Sequence, residues 1–182
     1  MLIYKIIHKL YALIFKNYIK SQVIFNSTEA KKSFVVDTGV KIYNPNVKIG
    51  KNVHLYHNVI IFGDGPVIIG DNTRIGYNTI IYSSSNNGGV LIGKQCAIAA
   101  NTYIIDTNHS TKIVINKIKK EDDVSKVIKI GDNVWIGASC VIAKGTELGN
   151  NVIIGANSFV NKNIPTNAIV AGSPAKIIKY RN

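Results

Sequence analysis

The stretch IGDNVWIGASCVIAKGTELGNNVIIGANSFV, residues 130–160, repeats one pattern six times. An aliphatic residue stands at Ile130, Ile136, Ile142, Leu148, Ile154 and Val160, always six places after the last. Upstream, shorter runs keep the same step: Ile49, Leu55, Ile61; then Ile69, Ile75, Ile81; then Ile92, Ile98, Ile104. A period of six fits neither a helix at 3.6 nor plain strand alternation at 2. It fits a short strand plus a corner, repeated three times around a triangular coil. The aliphatic residue points inward and stacks on its counterparts in the coils above and below. A Gly or Asn after it relaxes the backbone at the corner. A coil of about eighteen residues cannot bury its own inner face, so coils must stack. The spacing therefore predicts an all-β solenoid of about five coils over residues 47–165, with backbone hydrogen bonds between coils about 4.8 Å apart.

Composition agrees. The 182 residues are 46% hydrophobic and 18% charged, enough for one folded domain with a real core. The net charge is +12, and residues 1–32 hold six lysines against one glutamate. A basic surface suits nucleic acid, anionic lipid or a phosphorylated cofactor. No Arg-rich run or aromatic RNA-binding motif is present, so nucleic acid is not expected as a partner. Two cysteines, Cys96 and Cys140, make no disulfide framework. Both take a small-residue position of the repeat and read as buried free thiols in a reducing, cytoplasmic setting.

The chain begins MLIYKIIHKLYALIFKNYIK. Its apolar residues follow a helical spacing, but Lys5, Lys9, Lys16 and Lys20 break every apolar run, so it is too short to span a bilayer. Two readings stand: a helix packed on the body or a neighbouring subunit, and an interfacial helix touching anionic membrane through residues 1–20. Residues 1–44 are thus expected as helix and lead-in, 45–165 as solenoid, and 166–182 as a C-terminal cap.

The rhythm stops at DTNHS, residues 106–110, and resumes at Ile130. Residues 110–129 read as a protruding loop, and a long loop in a compact domain is usually functional or disordered. Counting from Ile104, His109 falls on an outward position just before it.

These repeats resemble those of the hexapeptide-repeat acyltransferases, most strongly over residues 128–179. The tail is similar to sugar O-acetyltransferases of the galactoside and maltose type and to those of surface-polysaccharide synthesis. The resemblance implies a left-handed parallel β-helix, a homotrimer and acetyl-CoA as acyl donor. By the same resemblance His109 is the catalytic base, and Asn78 in IGDNTRIGYN matches a substrate-binding asparagine that would hold the acceptor or polarise the thioester carbonyl, with a plain corner asparagine as the other reading. Asp106 or a backbone carbonyl would orient the ring. Trp135 is expected to line the groove, and Ala138 and Ala156 to offer backbone groups to the pantetheine arm. Asn161 and Lys162 match the adenosine end, and Lys176 and Lys179 stand near the 3′-phosphate. The implied acceptor is a saccharide hydroxyl, and the basic start suits one that is lipid-linked. Alternatives are an N-acetyltransferase on an amino sugar nucleotide and a non-enzymatic scaffold. Some left-handed β-helices hold zinc through three histidines; His54 and His57 are too far along the chain from His109, so no metal is expected.

Overall fold

In a computed structural model, the described residues are 34–84, 87–109 and 124–182, with Ile6, Ile7, Leu10, Leu13 and Ile14. Those five are helical and exposed. The remainder of the expected N-terminal helix and lead-in, and residues 110–123 of the expected loop, lie outside the described residues.

The body is a three-sided solenoid. Face A stacks β1 (Val35–Val36), β4 (His54–Leu55), β7 (Arg74–Ile75), β10 (Ala97–Ile98), β15 (Trp135–Ile136), β18 (Ile153–Ile154) and β20 (Ala168–Gly172), all parallel. Face B stacks β2 (Lys41–Ile42), β5 (Ile60–Gly63), β8 (Ile80–Ser83), β11 (Tyr103–Ile105), β16 (Val141–Ile142) and β19 (Phe159–Val160). Face C stacks β3 (Val47–Ile49), β6 (Val67–Ile69), β9 (Val90–Ile92), β14 (Ile128–Ile130) and β17 (Glu147–Leu148). The six strands of face B count six turns, one more than the spacing predicts, because the coil already runs at β1 and β2. The last strand, β21 (Ala175–Tyr180), folds back antiparallel over β20.

Every residue assigned to the interior by the six-residue step is at most 5% exposed. Successive coils set these side chains in register, as in Ile61–Ile81 and Ile81–Ile104–Ile142–Val160 on face B. Each such side chain contributes roughly 1.5–3 kcal/mol by leaving water. Face C adds a second inward row, for instance Val67 and Val90, so the coil resumes at Ile128 rather than Ile130.

Of the two residues expected at the corners, asparagine rather than glycine takes most of the left-handed positions, three places after the aliphatic residue. Asn52, Asn72, Gln95, Asn133, Asn151 and Asn167 turn face C into face A. Asn58, Asn78, Asn101, Ser139 and Asn157 turn face A into face B. Asparagine tolerates positive φ better than most residues, and its amide adds rungs between coils, such as Asn133 Nδ2 to Asn151 Oδ1 at 2.8 Å. The glycine directly after the aliphatic residue serves close approach instead. At Gly70 a Cβ would run into the backbone of Gly93 in the next coil.

One buried carboxylate governs the break in the rhythm. Asp106 is 0% exposed. Its oxygens accept hydrogen bonds from Ser84 N at 2.9 and 3.0 Å, Gly89 N at 2.5 Å and Ser83 Oγ at 3.2 Å. Its own carbonyl accepts from Lys126 N at 2.9 Å. The chain then leaves face B as β12 (Thr107–Asn108), paired antiparallel with β13 (Val124–Ser125). Ser125 Oγ joins this stem to Thr107 Oγ1 at 3.0 Å and to Ser84 Oγ at 2.8 Å. Asp106 thus ties the start of the excursion, its return and the preceding turn to one point.

Burial pushes the Asp106 carboxyl above its ordinary range, while the donors from Ser84, Gly89 and Ser83 pull part of the way back. A carboxyl raised on folding adds stability that is full below its unfolded pKa and lost as pH rises through the folded value. Asp106→Ala strands buried N–H donors and is expected to cost about 2–4 kcal/mol in urea unfolding. The gap from the unaltered protein should be widest near pH 4 and narrow toward pH 7; a gap that widens toward neutrality would contradict this account.

Candidate active site

His109 is exposed and follows β12 directly, at the end of face B where the solenoid turns toward face C. The hairpin stem β12–β13 fixes its point of departure. The carboxylate of Asp106 accepts from Ser83, Ser84 and Gly89, which makes it a latch beneath the stem. The serines and Thr107 that complete this latch give no signal in the sequence, where Ser83, Ser84 and Ser125 read only as turn and loop residues.

Asn78 sits at the corner between faces A and B with φ of 55°. Its Oδ1 accepts from Asn58 Nδ2 at 3.2 Å, and its Nδ2 donates to Asn101 Oδ1 at 3.2 Å. The corner conformation alone accounts for an asparagine there. Strand register separates it from His109 within one chain, since Asn78 precedes β8 and His109 follows the paired strand β11.

The residues expected to hold the acyl donor fall into two groups. Trp135 lies outward on face A, 55% exposed, between Ala97 below and Ile153 above. Ala138 and Ala156 stack at the corner between faces A and B, where Asn157 N donates to the Ala138 carbonyl at 2.9 Å. Lys176 and Lys179 are exposed on β21, opposite Ala171 and Ile169. Those five share face A and its corner in the upper coils. Asn161 and Lys162 instead follow β19, exposed at the same end of face B as His109. One chain therefore presents the two halves of the expected site on different edges of the prism.

Other features stand apart. A shallow depression of about 410 Å³ on face C is lined by Leu91, Lys129, Glu147 and Thr166 among others. The exposed Lys129–Glu147 pair crosses it at 3.7 Å. His54 and His57 both approach Asp37 Oδ2, at 3.2 and 3.6 Å, near the base of the solenoid. Among the described residues no group of His, Cys, Asp or Glu is arranged to hold a metal ion. Cys96 and Cys140 are buried free thiols, and burial raises the pKa of each.

Residues 128–162 match the family described as bacterial transferase hexapeptide (six repeats), and residues 66–105 match the hexapeptide repeat of succinyl-transferase. Galactoside O-acetyltransferase of Escherichia coli is 34% identical over 141 residues, 77% of this chain and 57% of that protein. The chain spans little more than half the length of that relative. A putative acetyltransferase of Dictyostelium discoideum, DDB_G0275913, is 30% identical over 86% of this chain and 68% of its own length. Among solved structures, AntD, an N-acyltransferase from Bacillus cereus in complex with dTDP and 3-hydroxybutyryl-CoA, superimposes with a TM-score of 0.72. It is 23% identical, over 83% of this chain and 81% of that one. The polySia-specific acetyltransferase NeuO gives a TM-score of 0.56 at 27% identity, over 82% of this chain and 88% of that one. With six-residue rhythm, three parallel faces and these relatives in agreement, the chain belongs to the hexapeptide-repeat acyltransferases and its solenoid is their left-handed parallel β-helix.

Proposed function

We propose that the protein is an O-acetyltransferase that moves the acetyl group of acetyl-CoA to a saccharide hydroxyl, in the synthesis of a surface polysaccharide such as a capsule, O-antigen or exopolysaccharide. The observation that carries this reading is His109, exposed at the end of a strand ladder and launched from a stem latched by Asp106. A sugar hydroxyl is almost wholly protonated at pH 7 and is a poor nucleophile. A neutral imidazole takes its proton as the oxygen attacks the thioester carbonyl carbon. The tetrahedral intermediate collapses with cleavage of the carbon–sulfur bond, and the imidazolium returns the proton to the departing thiolate. Galactoside O-acetyltransferase and NeuO, whose names place their chemistry on saccharides, support the choice of acceptor.

The two separated groups of site residues support a homotrimer. A second copy that lays its upper face A against the His109 edge of the first would bring Trp135, Ala138 and Ala156 opposite the imidazole. Asn161 and Lys162 would then meet the donor from the His109 side. The stacked corner amides, one coil apart, suit the amides of a pantetheine arm. Lys176 and Lys179 suit the 3′-phosphate as point charges, since lysine lacks the bidentate fork of arginine. Asn78 would serve the acceptor from the corner of a neighbouring copy.

The N-terminal segment extends the reading to location. Ile6, Ile7, Leu10, Leu13 and Ile14 occupy one helical stripe and are 56–61% exposed, and the adjoining sequence supplies Lys5, Lys9, Lys16 and Lys20. An apolar stripe beside lysines suits the anionic inner face of a membrane, where a lipid-linked acceptor is held and cytoplasmic acetyl-CoA is at hand. No helix among the described residues is long and apolar enough to cross a bilayer.

His109→Ala is expected to lower kcat for thiol release by about 10²–10⁴-fold while acetyl-CoA binding is kept. Equal turnover in the variant would remove His109 from the mechanism, and faster turnover on amino sugars than on hydroxyl acceptors would favour N-acyl transfer. The full chain should co-sediment with phosphatidylglycerol vesicles and not with phosphatidylcholine, less so as salt rises. A chain lacking residues 1–25 should stay in the supernatant; identical behaviour of the two chains would defeat the membrane assignment.

A further inference from the structure

Resting on that acyl-transfer reading, we propose that Tyr43, Phe62 and Tyr82 form a docking track for a saccharide chain of several residues, leading up face B to His109. Phe62 pairs in register with Tyr82, and Tyr82 with Ile105. Tyr43 falls opposite Phe62 by one further step of the β2–β5 register, and its N donates to the Ile61 carbonyl at 2.8 Å. In-register parallel strands place such residues in one outward column. The column climbs from Tyr43 to Ile105, four residues before His109.

Core packing does not explain these rings. Tyr43 is 67% exposed, so its ring adds little to folding. Phe62 and Tyr82 lie half-buried with ring centroids 4.7 Å apart and planes tilted by 49°. Above the His109 coil the same column carries Ala143 and Asn161, so the aromatic run ends where the chemistry begins. Gly63 follows Phe62 with φ of 96°, and a Cβ there would strike the Ser83 carbonyl.

A pyranose offers an apolar C–H face to an aromatic ring and keeps its hydroxyls at the edge. Tyrosine suits such a ligand because its ring is apolar and its tip is polar. Coils rise by about 4.8 Å, so the backbone positions of Tyr43 and Tyr82 are about 10 Å apart. One sugar ring cannot cover that span, whereas a chain of three or four can. The geometry thus favours a growing or finished glycan over a free monosaccharide.

The test compares thiol release from acetyl-CoA with methyl β-galactoside and with β1,4-galactotetraose, using the full-length protein. The unaltered enzyme is expected to show a kcat/KM about tenfold higher for the tetrasaccharide. Tyr43→Ala should cut that ratio by about fivefold or more, through KM, the size expected for one lost stacking face. Tyr43→Trp should restore it, and Ile68→Ala, an exposed change on face C, should leave it intact. Length-independent turnover would overturn the track and leave the acyl-transfer reading standing. So would a Tyr43→Ala effect equal on both acceptors, or one seen only as a change in oligomeric state by sedimentation, which would assign the stripe to a neighbouring copy. Thiol release with neither acceptor would bring down the acyl-transfer reading, and the track with it.

Discussion

Each coil of this protein is unstable alone, and everything else follows from that. A coil of three short strands has no partner for its backbone groups within itself. Its N–H and C=O groups bond to the coils above and below, as from Ile80 N to the Thr102 carbonyl at 2.9 Å. Its inner aliphatic residues are buried only when another layer sits on either side. Register is therefore compulsory. A slip of one residue would turn Ile81 outward and Tyr82 inward, and the same exchange would spread through every coil in contact. That compulsion is what lets outward columns, and any site built from them, be read directly from strand pairing.

The same compulsion makes most of the interior legible in the sequence. Inward positions must be aliphatic in every coil, so they leave a period that survives the insertions at 63–66 and 83–89. The first turn escapes the pattern for a physical reason. Val36 and Ile42 are themselves six apart, but Ile49 follows at seven, and one step carries too little signal to stand out. The spacing offers glycine or asparagine at the corner without dividing their roles. Glycine follows the aliphatic residue for clearance, while asparagine takes the left-handed turn.

The site is legible only in part. A histidine at the end of a run announces itself by position, and His109 stands on an exposed edge. Its support is hidden, because the carboxylate of Asp106 meets groups 17 and 22 residues earlier, on a turn whose path no local pattern reveals. Residue spacing does show that Ala138 and Ala156 stack, yet it does not tell which edge of the prism they occupy relative to His109. That relation emerges only when three faces are assembled, and it leads to the proposal of a catalytic centre shared between copies.

The reversed strand at the top has a consequence for the molecule as a whole. A stack whose final layer exposes parallel, unpaired edges is a template onto which another stack can grow end to end. Here Ala175–Tyr180 runs against the direction of Ala168–Gly172 and is studded with Lys176 and Lys179. A copy arriving at that end would meet opposed strand polarity and exposed lysines on face A. The turn-back thus closes the upper edge of face A to a further parallel strand.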